Sequence, residues 1–151
     1  MNKKENKILL SIILILVAVD QILKIGILIY GIQIGDIQGL SIGIVENIES
    51  TDNAMNILIS FIAIVLIIRY IKSNNTFIKM DNKVVLSFAV AGIISNVIDR
   101  VWKGNVINYI NIPKFTSINL SYIYILITWI GMAVILTEYS MQRIKERRLK
   151  K

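Results

Sequence analysis

Neither cysteine nor histidine occurs in this chain, and only 18% of its 151 residues are charged. The missing side chains exclude disulfide bonds, thiol nucleophiles, imidazole bases and the usual zinc ligands. Any chemistry must therefore use carboxylates, hydroxyls, amides or lysine, and we expect no metal and no cofactor. Hydrophobic residues make up 55% of the chain, which is above the share in an ordinary soluble domain.

Long apolar runs predict a single integral membrane domain over residues 1–151. We expect four transmembrane helices, at about 8–29, 56–71, 84–100 and 118–137. The first and last runs reach the roughly 20 residues that cross a hydrocarbon core of about 30 Å, and the middle two reach it only with their flanks. A secretory signal peptide is the alternative for the first run, but the run is too long and lacks a small-residue cleavage site.

Basic residues lie in three groups and predict the orientation. Under the positive-inside rule, these groups place both termini and the middle loop in the cytoplasm. Their members are Lys3, Lys4 and Lys7; then Arg69, Lys72, Lys79 and Lys83; then Arg143, Lys145, Arg147, Arg148, Lys150 and Lys151. The formal charge of +7 indicates contact with membrane lipids rather than with nucleic acid, because the groups flank apolar runs and no aromatic residues interleave them.

The segment after the first apolar run has a different residue pattern. Glycine recurs at positions 31, 35, 39 and 43, and apolar residues alternate with small or polar ones. This period of two predicts short strands with tight turns. The fold class is therefore a membrane all-α protein with a small β element on the outer surface, ending near Glu46 and Asn47.

Polar residues inside the apolar runs are the candidate functional residues. Asp20 and Lys24 are four residues apart, so they share a helical face and can pair. Such a pair either neutralises itself for burial or marks a site facing a cavity. Asn96, Asp99 and Arg100 fall within one turn near the end of the third run, where we expect Arg100 to hold Asp99. They either cap the helix or form a network.

Taken together, these features resemble the bacterial lipoprotein signal peptidases, signal peptidase II. The similarity lies in "VDQILK" in the first span, in an asparagine ending the glycine-rich segment, and in "GIISNVIDR" followed by "GNVINYI" before the fourth span. The resemblance implies a bacterial inner-membrane aspartic endopeptidase with an extracytoplasmic β-cradle, which cuts prolipoproteins before the lipidated cysteine. By this resemblance, the substrate-binding positions are Asp20, Lys24, Asn47, Asn96, Asp99, Arg100 and Asn119.

Two departures concern the catalytic pair. The family has aspartates where this chain has Asn108 and Tyr122. Aspartic peptidases need two close carboxyls that share a proton, and neither an amide nor a phenol with an ordinary pKa of about 10 replaces one. The element that follows the outer asparagine in the family is also absent after Asn47.

Three hypotheses follow for the function. The chain is a non-catalytic family member that binds lipidated prolipoproteins, signal peptides or a membrane protein partner. Alternatively, it is an active peptidase whose carboxyl pair lies elsewhere, or a small transport or assembly protein on the same scaffold. Asn108 and Tyr122 distinguish the first hypothesis from the second.

Overall fold

The structure, a computed structural model, describes residues 3–30, 34–37, 40–45, 53–72, 80–112 and 116–149. In these ranges the chain forms four helices and four short strands. The helices are α1 (Lys3–Tyr30), α2 (Asn53–Lys72), α3 (Met80–Lys103) and α4 (Leu120–Leu149), and the strands are β1 (Ile34–Ile37), β2 (Leu40–Val45), β3 (Asn108–Ile112) and β4 (Thr116–Ile118). The predicted fold class is confirmed.

All four helices are long and apolar enough to cross a membrane. The shortest, α2, has 20 residues, which at 1.5 Å per residue corresponds to about 30 Å. Helices α1, α2 and α3 extend beyond the predicted spans at both ends, and α4 extends beyond its span at the C-terminal end. The last one starts at Leu120 rather than at residue 118, because Ile118 ends strand β4 and Asn119 links the two elements.

Helix α3 is the centre of the helical layer. Half of its apolar stretch is buried, compared with 6% of that of α2. Its buried face is rich in small residues, which let helices approach closely; they include Ser87, Ala91, Gly92 and Ser95. A Cβ on Gly92 would lie 2.6 Å from the main-chain oxygen of Ser121 in α4, so glycine is required at this contact.

The strands form one antiparallel sheet in the order β1-β2-β3-β4. The alternating segment after α1 does form β1 and β2, as predicted, whereas β3 and β4 were not predicted. Strand β2 pairs with β3, with Val45 opposite Asn108. The connection between α1 and α2 is thereby joined to the connection between α3 and α4, and the two cover the same end of the helices.

Two contacts fix how α3 ends at the sheet. Gly104 follows the helix with a φ of 77°, and its N–H donates to the carbonyl of Arg100 at 3.1 Å. Left-handed glycine is a common helix terminator because it carries no Cβ. The side-chain amide of Asn53, the first residue of α2, donates to the carbonyl of Gly104. The start of α2 is thus attached to the end of α3.

Candidate functional site

Lys24 lies at the centre of a buried polar cluster where α1, α3, α4 and β3 meet. We call this the polar cluster; its side chains are Asp20, Gln21, Lys24, Ser95, Asn96, Asp99, Asn108, Asn119 and Ser121. The Nζ of Lys24 is 2.6 Å from a carboxylate oxygen of Asp20 and 2.6 Å from one of Asp99, and none of the three side chains is more than 1% exposed. Buried charges persist in proteins when they are paired in this way. The predicted pairing of Asp20 with Lys24 is confirmed.

Asp20 connects α1 to both neighbouring helices. Its Oδ2 accepts hydrogen bonds from the hydroxyls of Ser95 in α3 and Ser121 in α4, each at 2.6 Å. Its Oδ1 accepts from the main-chain N–H of Ser121 at 3.2 Å. This N–H belongs to the first turn of α4, where the helix dipole favours a negative charge. Asp20 therefore stabilises the meeting point of three helices.

Asp99 has different partners from those expected. Besides Lys24, it accepts from the side-chain amide of Gln21 at 2.9 Å and from the N–H of Ile107 at 3.3 Å. We expected Arg100 to hold this carboxylate. That expectation is wrong, because Lys24 in α1 lies on the same side of α3 as Asp99 and reaches it across the helix interface. Arg100 is half-buried at the next position of the helix.

Asn119 joins the cluster to the start of α4. Its Oδ1 accepts from the N–H of Tyr122 at 3.1 Å, three residues later, which is the usual geometry of an asparagine at a helix N-cap. Its Nδ2 lies within hydrogen-bond distance of three acceptors, Asn96 Oδ1 at 3.1 Å, the carbonyl of Ile107 at 3.0 Å and Asn108 Oδ1 at 3.1 Å, so its two hydrogens are shared among them. Asn96 Oδ1 also accepts from Lys24 at 3.2 Å. One buried amide thus links Lys24 and its two carboxylates, which we call the ion group, to strand β3.

Tyr109 completes the start of α4. Its phenol oxygen accepts from the N–H of Leu120, the first residue of the helix, at 3.1 Å. Burial raises the pKa of Tyr109 to about 12, despite this hydrogen bond. The first three N–H groups of α4, which have no partner inside the helix, are therefore held by Tyr109, Asp20 and Asn119.

The two positions of the expected catalytic pair flank the side chain of Asn119. Asn108 is the first residue of β3 and is 7% exposed, with its Oδ1 held by Asn119. Tyr122 lies in the first turn of α4 and is 37% exposed. The buried position thus carries a neutral amide, and the other carries an aromatic residue that is partly exposed.

Most of the residues predicted for the site lie close together. The structure brings Asp20, Lys24, Asn96, Asp99, Asn108 and Asn119 together in the polar cluster. Tyr122 contacts the cluster through its main-chain N–H, Arg100 is half-buried at the position after Asp99, and Asn47 is outside the described residues. Gln21, Ser95 and Ser121 were not among the predicted site residues, although a hydroxyl or amide within an apolar span is a usable signal, because it needs a partner there.

Comparison with known proteins decides the family. The family model for signal peptidase (SPase) II matches residues 12–139 of the chain. The chain belongs to the signal peptidase II family. This is a bacterial inner-membrane family whose function is cleavage of signal peptides from lipoprotein precursors. No curated protein matches the chain.

Two solved structures share the fold of this chain. A bacterial membrane enzyme determined by the in meso method at 2.3 Å resolution superimposes with a TM-score of 0.75, at 22% identity, over 89% of this chain and 90% of that one. A second, determined by the same method at 1.9 Å, gives a TM-score of 0.72 at 22% identity, over 86% of this chain and 92% of that one. At this identity the likeness shows the shared fold.

Peptide hydrolysis in an aspartic peptidase requires two carboxyl groups that face the same water molecule. Among the described side chains of the polar cluster, the carboxylates are those of Asp20 and Asp99. Both bind the same ammonium group, and both are almost completely excluded from solvent. Each carboxylate thus already has Lys24 and at least one hydroxyl or amide donor as partners.

Proposed function

We propose that this member of the signal peptidase II family binds lipoprotein precursors or their signal peptides in the membrane without cutting them. The observation that carries the proposal is the pair of positions beside Asn119. Asn108 is buried and uncharged there, and its oxygen is already engaged as an acceptor. An amide does not act as a general base near neutral pH, so it cannot activate water as a carboxylate does.

The surrounding framework supports binding rather than loss of all function. No fully buried side-chain nitrogen or oxygen in the described residues is without a hydrogen-bond partner. The two carboxylates that remain in it are held by Lys24 and by hydroxyl or amide donors. An alternative carboxyl pair within the described cluster would require one of them to leave Lys24 and expose a buried charge, which is costly.

The orientation is part of the same proposal. We place both termini and the loop between α2 and α3 in the cytoplasm, because the basic groups flank those ends of the helices. The sheet and the polar cluster then lie at the outer surface of the bacterial inner membrane, with membrane lipids around the helices. The described side chains exposed on α1, α2 and α4 are largely apolar, as contact with lipid requires.

The binding test uses a fluorescently labelled prolipoprotein that already carries the diacylglyceryl group. The purified protein in lipid nanodiscs should bind it saturably, and gel analysis should recover the precursor uncut. A secretory precursor with an ordinary, non-lipoprotein signal peptide is the control and should bind at least tenfold more weakly. Equal binding of both precursors would refute the proposed function. Failure to bind either precursor would refute it if the free lipoprotein signal peptide also fails to bind.

The orientation can be tested because the chain has no cysteine of its own. A membrane-impermeant maleimide should label the variant Lys103→Cys in intact spheroplasts and should leave Arg148→Cys unlabelled until the membrane is opened. The reverse pattern would refute the orientation.

A further inference from the structure

The side-chain amide of Asn108 has a fixed orientation. The main-chain N–H of Tyr122 can only donate, so the atom of Asn119 that it contacts is the oxygen. The other end of Asn119 is therefore the nitrogen, and it must face an acceptor on Asn108. This chain of partners assigns Oδ1 of Asn108 to the contact with Asn119 and turns Nδ2 away from it.

The Nδ2 of Asn108 is a donor without a partner among the residues that the structure describes. Asn108 is 93% buried (7% exposed), and its hydrogen bond is the one that its oxygen accepts. Among the described residues, every fully buried side-chain nitrogen or oxygen has a hydrogen-bond partner. The Asn108 Nδ2 has none, so it is not fully buried and can be reached from the space beside it. A donor in so confined a place favours a ligand that brings an acceptor.

The charge of this end of the molecule determines which acceptors are tolerated. Asp20 and Asp99 contribute two negative charges, and Lys24 and Arg100 contribute two positive ones, so these four residues are formally neutral. Two acids at positions 108 and 122 that share one proton would bring the total to −1 and would repel an anion. With Asn108 and Tyr122 the site has no such repulsion, and the positive end of the α4 dipole lies beside Asn119.

We propose that Asn108 selects the ligand by donating a hydrogen bond to an acceptor oxygen, and that the favoured ligand is an already released signal peptide. Hydrolysis leaves such a peptide with a C-terminal carboxylate, and charge-assisted hydrogen bonds to an ionised acceptor are stronger than those to a neutral carbonyl. This inference rests on the proposed function, because it specifies which form of the peptide the same site prefers.

The test compares two synthetic signal peptides of one sequence, one ending in a free carboxylate and the other in an amide. Affinities are measured for the full-length protein in nanodiscs at neutral pH. We expect the carboxylate peptide to bind at least tenfold more tightly than the amide peptide. In the variant Asn108→Asp, which keeps the shape but replaces the donor by an acceptor, this preference should fall to about one.

Asn111→Asp provides the matched control, since it adds the same charge on the same strand, three residues away. It should keep the preference for the carboxylate. Equal affinity of the unmodified protein for the two peptides would overturn the inference, and so would a preference that persists in Asn108→Asp. If only the uncut precursor binds, this inference fails and the proposed function stands. If no precursor and no peptide binds, both fail.

Discussion

The ion group around Lys24 and the pair Asn108 and Tyr122 lie at the same end of the molecule but have opposite environments. Lys24 and its two carboxylates are fully enclosed, and they connect α1 with α3 and, through Asp20, with α4. The side chain of Asn108 makes a single described hydrogen bond, and Tyr122 is partly exposed. We infer that the charges hold the helices together, and we predict that exchanging Asn108 or Tyr122 costs less stability than removing Lys24.

Removing the charge of Lys24 should give the largest loss of stability. In Lys24→Met the carboxylates of Asp20 and Asp99 lose their shared cation while remaining buried, so we expect a loss of about 3–5 kcal/mol in the free energy of unfolding. Reversible unfolding in mixed micelles measures this free energy. The matched control is Lys83→Met, which breaks the 3.0 Å pair with the more exposed Glu5 and should cost about 1 kcal/mol or less. Similar losses in the two variants would contradict the assignment of the ion group as the structural centre.

The close contact between Gly92 and the Ser121 carbonyl should give the next largest effect on stability. In Gly92→Ala the new methyl group would meet the Ser121 carbonyl at 2.6 Å, so α3 and α4 must separate, and we expect a loss of about 1–3 kcal/mol. Gly26→Ala is the control, because nothing lies within 4 Å of a Cβ at that position of α1. It should be neutral or stabilise by about 0.5–1 kcal/mol through helix propensity. If both glycines tolerate alanine equally, the close approach of α3 and α4 is not required.

Tyr109 gives a pH-dependent effect. Its pKa is raised to about 12 in the folded protein and is about 10 when unfolded, so the fold favours the neutral phenol. The contribution of Tyr109 to stability is fully present below pH 10 and is lost as the pH rises from about 10 to 12. Tyr109→Phe should be less stable at pH 8, since Leu120 loses its acceptor, and its stability should decline less between pH 10 and 12. Tyr122→Phe, as the control, should decline like the unmodified protein; identical declines in all three would refute a buried neutral Tyr109.

Tyr122 should give the smallest effect on stability. Tyr122→Asp places an acid in the first turn of α4, where the helix dipole favours it, and removes a partly exposed ring, so we expect a change within about 0.5 kcal/mol. The same unfolding measurement applies. A loss comparable to that of Lys24→Met would mean that position 122 belongs to the structural framework, and the contrast between the two regions would disappear.

The sequence predicted those features that depend on local pattern. Apolar run length located the four helices, and the alternation around positions 34–45 located β1 and β2. The spacing of Asp20 and Lys24 predicted their pairing, because both lie on the same helix. The resemblance to signal peptidase II predicted the family and named six residues of the polar cluster.

Features that depend on contacts between elements were not predicted. The pairing of Asp99 with Lys24 rather than with Arg100 depends on how α1 packs against α3. Strand β3 has only five residues, is separated from α3 by four residues, and shows little alternation of apolar and polar side chains. Its partner β2 lies more than sixty positions earlier in the chain. Ser121 became important only because the first turn of α4 lies against Asp20.

The central claim is that this site retains its framework and lacks the carboxyl pair that cuts. The most direct measurement is a single-turnover assay with the protein in excess over a diacylglyceryl-modified prolipoprotein, with an active signal peptidase II as the positive control for the substrate. We predict that the precursor remains intact over many half-times of the control reaction. Release of the signal peptide by the unmodified chain, abolished by Asn108→Leu, would contradict the claim.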